Sequence, residues 1–167
     1  MGGLRRTGWV SGFSVALCLL CGCRAQQRGQ SVSDAQNANI AALEKAYAAF
    51  NRNDIAATVE AMDPNIEWTE PPEFPGGGAY YGHEGVKAYL TQSRAAAAEV
   101  ISRPERFIVA GDKIVVFVHA RVRAKESREW QEVRLADVYT FHNGKAVQMR
   151  AFADRQQALT WAGATQP

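Results

Sequence analysis

Cysteine is confined to the first 23 residues of this 167-residue chain, at Cys18, Cys21 and Cys23. The rest can therefore have no disulfide framework, no thiol nucleophile and no thiolate metal site. An excess of charge is also lacking. The full chain has 19 basic and 17 acidic residues, and losing Arg5 and Arg6 with a leader leaves 17 against 17. No stripe of Lys and Arg interleaved with aromatics marks a nucleic-acid surface. The only long apolar run, Trp9 to Leu20, is too short to span a bilayer. There is no internal repeat. Gly76-Gly77-Gly78 lacks both the preceding strand and the Lys-Ser or Lys-Thr of a phosphate loop.

What is present begins with a leader. Arg5 and Arg6 form a basic start, Trp9 to Leu20 an apolar middle, and Leu20-Cys21-Gly22-Cys23 an end that looks like a lipobox. The expectation is a signal peptide over 1–23 with lipid on Cys23, and hence an exported protein anchored at the bacterial cell envelope. Residues 24–37 are polar and read as a flexible tether, and a single domain covers 38–163.

Within that domain, Ser33 or Asp34 can cap a helix with Ile40, Leu43, Tyr47 and Phe50 at three- and four-residue spacing. Asp54 caps a second, shorter helix that ends at Asp63-Pro64. Ile66, Trp68 and Glu70 then share one face of a strand, so a carboxylate sits on the apolar side. The Gly-rich stretch 73–81 reads as a mobile flap. Val86, Tyr89 and Leu90 line a third helix. Four long strands follow, and Gln156 to Trp161 is a short closing helix.

The hairpin over Arg134 to Asp154 is the most informative stretch. Asn143-Gly144 suits a type I′ turn. Counting back by twos puts Phe141, Tyr139, Asp137, Leu135 and Val133 on a core face, and Thr140, Val138, Ala136, Arg134 and Glu132 on a solvent face. Val147 and Met149 extend the core face on the return. Asp137 is thus a second acid on an apolar face, where an unpaired charge costs several kcal/mol. It is either a satisfied structural Asp or an acid facing a cavity. His119 shares its face with arginines and reads as a rim position, and His83 reads as a capping or packing residue.

The order helix, helix, strand, helix, four antiparallel strands gives an α+β fold. Its helices pack across the concave face of a strongly bent sheet and leave a cavity open at one end. NRNDI, DPNIEWTEP, YYGHEGVKAYL and DVYTFHNGKAVQMRAF together resemble the SnoaL-like and ketosteroid isomerase branch of the nuclear transport factor 2-like (cystatin-like) superfamily. The resemblance covers Ala38 to Gly163. It implies a cone-shaped fold, a homodimer and a small apolar ligand, with no cofactor, no metal and no nucleic acid.

It further implies a cofactor-independent isomerase, dehydratase or cyclase. Glu70, followed by Pro71, falls at the general base, and Asp137 at the protonated oxyanion-hole acid. Tyr47 is the nearest tyrosine to the third position, which aligns with Ala46. Carboxyls tuned apart in this way are the handling of protons for which ketosteroid isomerase is known. The cavity is expected to be lined by Trp68, Tyr81, Tyr89, Phe107, Tyr139 and Met149. The alternative function is a non-catalytic module for hydrophobic-ligand binding or envelope assembly.

Overall fold

The computed structural model describes residues 19–164. The chain divides into two units, Met1–Asp34 and Ala35–Pro167. Of the first unit, 19–34 is described and is helical, as the start of α1 (Leu19–Asn51). The leader before residue 19 lies outside the described residues. Helical backbone thus begins well before the cap expected at Ser33 or Asp34 and runs through the stretch read as a tether. Gln, Ala and Arg are good helix formers, so a polar sequence of this kind is compatible with helical backbone. Among the described residues no helix is long and apolar enough to cross a membrane.

In the second unit α1 is followed by α2 (Ile55–Thr58), whose N-cap Asp54 accepts a hydrogen bond from Ala57 N. A single 3₁₀ turn leads into β1 (Met62–Glu70). Then come β2 (Gly78–Tyr81), α3 (Gly82–Ala95), β3 (Ala97–Ala110), β4 (Lys113–Ala124), β5 (Trp130–His142), β6 (Lys145–Phe152) and α4 (Arg155–Ala162). The strands form one bent six-stranded sheet in the order β2-β1-β6-β5-β4-β3. All pairs are antiparallel except β1 with β6.

The β5–β6 turn is as the sequence predicts: Asn143 and Gly144 both have positive φ, 49° and 76°. The return strand departs from simple alternation. Thr140 pairs with Gln148 but Phe141 pairs with Ala146, which leaves Val147 as an extra, bulged residue. The bulge restores Ala146 to the core face beside Met149, and Val147 is only half-buried there. A second bulge at Glu105 follows Pro104 in β3. Pro104 lies inside this strand. It is tolerated inside it because β3 is an edge strand.

One core joins Leu43, Tyr47 and Phe50 of α1 and Val86, Tyr89 and Leu90 of α3 to Ile66, Trp68, Val116, Val118, Tyr139 and Met149 of the sheet. The opposite face is not left to solvent. Val115, Ala136 and Val138 are completely buried there beneath Ala158 and Leu159 of α4. This corrects two expectations, that the helices keep to the concave face and that Val138 and Ala136 face water. α4 returns over the back of the sheet, started by Asp154, which accepts from Gln156 N and Gln157 N, and stopped by left-handed Gly163.

Candidate functional site

Four strand positions and two helix positions converge on the concave side. Trp68 and Glu70 come from β1, Asp137 and Tyr139 from β5, Tyr47 from α1 and Tyr89 from α3, all lining one cavity of about 450 Å³. The period of two in each strand turns its acid inward with its apolar neighbours. The helical period brings Tyr47 onto the stripe shared by Leu43 and Phe50. Away from the acids the walls are apolar, formed by Phe50, Leu90, Val100, Val118, Ala120 and Val133.

Glu70 is buried, and its Oε1 accepts a hydrogen bond from Trp68 Nε1 at 2.8 Å. Asp137 is packed within the protein, and what exposure it has is to the cavity. Its Oδ2 accepts from the Tyr47 hydroxyl at 2.5 Å. Tyr139 Oη in turn donates to Tyr47 Oη at 3.4 Å. Burial pushes the Asp137 carboxyl up to about 6, against the pull of the Tyr47 hydrogen bond. Burial first, and then the charge of Asp137, pushes Glu70 up to about 7, and the Trp68 and Tyr89 donors oppose the rise. Tyr47 and Tyr139 are raised by burial and by the Asp137 carboxylate, so both stay neutral donors. Among the described residues no Lys, Arg or His lines the cavity.

The aromatic wall is built by contacts among rings. Trp68 lies 6.3 Å from Tyr89 and 6.4 Å from Tyr139, edge-on to the latter, and Tyr80 stacks on Tyr89 at 4.5 Å. Phe74, Pro75 and Gly76 cover the cavity beside Glu70. The stretch read as a flap is therefore loop only over 71–77, and its C-terminal part is strand β2. Tyr80 Oη donates to Gly76 O, and a Cβ on Gly77 would stand 2.4 Å from Pro71 O, so this loop closes tightly on itself.

Of the expected lining residues, Trp68, Tyr89 and Tyr139 meet in the cavity with the three expected catalytic positions. Met149 is buried in the core behind it, and Phe107 packs half-buried against that core. Tyr81 does not belong: it is 67% exposed, and its neighbour Tyr80 takes the inward place. Between adjacent tyrosines in a four-residue strand, sequence alternation gave no basis for choosing. Phe74 and the rim residues Ser93 and Ser102 were missed. Phe74 lies in a loop without periodicity, and small rim residues carry no pattern.

His83 contacts Met62 O at 3.1 Å, as a packing residue would. His119 lies outside, against Glu132 and Glu105. Arg134 also points outward, to Glu105. Among the described residues no group of three or more His, Cys, Asp and Glu side chains is placed to hold a metal ion.

The profile of the SnoaL-like domain matches residues 43–149. No curated protein matches the chain. Among solved structures, TerC co-crystallised with polyporic acid is 26% identical, with a TM-score of 0.64 over 76% of this chain and 99% of that one. A nuclear transport factor 2-like protein of unknown function from Burkholderia pseudomallei is 29% identical, with a TM-score of 0.64 over 76% and 98%. Another such protein, from Burkholderia thailandensis, is 26% identical, with a TM-score of 0.62 over 77% and 98%.

Proposed function

The chain belongs to the SnoaL-like domain family, and from that premise we propose that it moves a proton on a small, apolar carbonyl compound, in an isomerase or lyase type of reaction, through Glu70 and Asp137. One observation carries this reading. Two carboxyls face a single apolar cavity with no cation among the described residues that line it, and burial raises both, to about 7 and about 6. A structural acid is normally paired or hydrogen-bonded until it ionises easily; acids tuned to pH 6–7 suit proton transfer at that pH. The aromatic walls supply apolar contact, and the two acids can fix and polarise one carbonyl oxygen. The co-crystallisation of TerC with polyporic acid supports an organic ligand of that general kind for this cavity.

The leader adds a location. The lipobox-like end of 1–23 supports an exported domain tethered to a membrane through lipid on Cys23, which intact-mass analysis of the cell-envelope protein would show as an acylated N-terminus. A homodimer is part of the same reading and is checked by sedimentation.

The function is tested by mass spectrometry of compounds retained through purification, followed by turnover assays of those compounds with wild type, Glu70→Gln and Asp137→Asn. The expected result is a hydrophobic carbonyl compound whose turnover falls by about 10²–10⁴-fold in either variant. A ligand retained unchanged by all three proteins would replace this reading with simple binding, and an empty cavity would replace it with envelope assembly.

A further inference from the structure

We infer that Glu70 is the member of the pair that keeps a proton near neutral pH, and that Asp137 is the ionised member, held so by a chain of two tyrosines. This exchanges the acid and base positions implied by the ketosteroid isomerase resemblance. The chemistry rests on the proton-transfer reading above, but the protonation order does not.

The argument starts from charge. The titratable groups facing the pair are Tyr47 from α1, Tyr80 from β2, Tyr89 from α3 and Tyr139 from β5; β4 and β6 present only apolar side chains such as Val118, Ala120 and Met149. With no cation among them, two carboxylates in one apolar cavity repel, and the second is desolvated without compensation. One proton is retained.

Hydrogen-bond direction then separates the two acids. A phenol has one hydrogen to give. Tyr139 gives its hydrogen to Tyr47, and Tyr47 gives its own to Asp137 Oδ2. Two aligned dipoles thus point at Asp137, and each hydrogen bond polarises the next, which favours the charged acceptor. Glu70 has no such chain. Its donors, the Trp68 indole on Oε1 and the Tyr89 hydroxyl, have no second hydroxyl behind them, because Tyr80 gives its hydrogen to Gly76 O. The electrostatic causes run the same way: the Asp137 charge is among those raising Glu70, whereas the Tyr47 hydrogen bond pulls Asp137 down.

This order makes the reaction neutral in charge inside the cavity. Asp137 carboxylate takes a hydrogen from the carbon beside the carbonyl. The C–H electron pair becomes the C=C bond, and the carbonyl π pair goes to oxygen, which takes the proton of Glu70. An enol results, with Asp137 protonated and Glu70 ionised beside the Trp68 N–H. Asp137 returns its proton to the same carbon or a conjugated one as the enol hydroxyl returns its own to Glu70. The pair has one negative charge throughout. Tyr47 and Tyr139 act through Asp137 and are positioning residues.

The test is a ¹³C NMR titration of the full chain labelled at Asp Cγ and Glu Cδ, with the two resonances assigned from Asp137→Asn and Glu70→Gln. Asp137 should inflect at the lower pH and Glu70 at the higher. Tyr47→Phe should move the Asp137 midpoint up by about 1 unit, and Tyr139→Phe should move it the same way by less. If Tyr47→Phe fails to fold, the Tyr139→Phe shift decides. Glu70 titrating first, both acids titrating near the ordinary carboxylate value of about 4, or an Asp137 midpoint indifferent to both tyrosines overturns the inference. The titration needs no substrate. The expected order without turnover of any retained compound removes the proposed function and leaves the inference; turnover with the reverse order does the opposite.

Discussion

Asp137 and Arg134 stand three residues apart on β5 and face opposite sides of the sheet, and the two sides handle charge differently. Outside, the Glu105 bulge gathers Arg155 Nη2 at 2.8 Å, Arg134 Nη1 at 3.3 Å and His119 Nδ1 at 3.7 Å. The Arg155 hydrogen bond, ahead of the neighbouring charges, lowers the Glu105 carboxyl below its usual range. Inside, Glu70 and Asp137 have hydroxyl and indole donors but no counter-charge, and both rise. The packing differs in the same sense. The outer face is filled by α4, with Leu159 completely buried, whereas the inner face keeps a cavity. A single sheet thus separates acids paired with cations from acids that are not, and strand parity decides which is which.

The sharpest way to break this comparison is at the filled face. Leu159→Ala empties a site with no room to collapse and should cost about 2–5 kcal/mol, read from urea unfolding. Next is the pH dependence of the inner face. The folded protein keeps the Glu70 proton up to about 7, whereas the unfolded chain loses it near 4.5. Stability from this group is therefore complete below about 4.5 and is lost as pH rises to 7. Glu70→Gln removes that slope. At pH 8 it should exceed wild type by about 3 kcal/mol, at about 1.4 kcal/mol per pKa unit, and the gap should close on acidification.

Filling the inner face should do much less. Ala120→Leu adds volume where volume is empty and should change stability by under about 1 kcal/mol, while abolishing retention of any cavity ligand in the mass-spectrometric screen. The smallest effect belongs to Glu105→Gln. Its pairs are exposed, so the urea midpoint should barely move at low salt and not at all in 1 M NaCl. A large, salt-insensitive loss would show that the outer cluster is more than surface pairing.

Much of this was readable from residue order. Asn143-Gly144 set the β5–β6 turn, and alternation in β1 and β5 exposed both inward acids before any contact was known. What stayed hidden has physical causes. Val138 and Ala136 share their face with Arg134 and Glu132, so parity sent them to solvent; only the return of α4 from the far end of the chain buries them. The Val147 bulge changes the face of Ala146 by one residue, which no pattern of apolar letters records. The meeting of Tyr47 with Asp137 joins residues 90 positions apart. A helix stripe shows which way Tyr47 faces but not what it meets.

The edges of the sheet have a consequence for solubility. An open strand end to end with another offers unpaired N–H and C=O groups to a second chain, which is how aggregates grow. One edge here, β2, has four residues. The other, β3, has fourteen and would be the exposed template. Pro104 removes a donor from it, the Glu105 bulge kinks it, and exposed Arg103 and Arg106 flank the kink. The bulge that gathers the outer ion pairs thus also keeps the long edge from growing a seventh strand out of a neighbouring molecule.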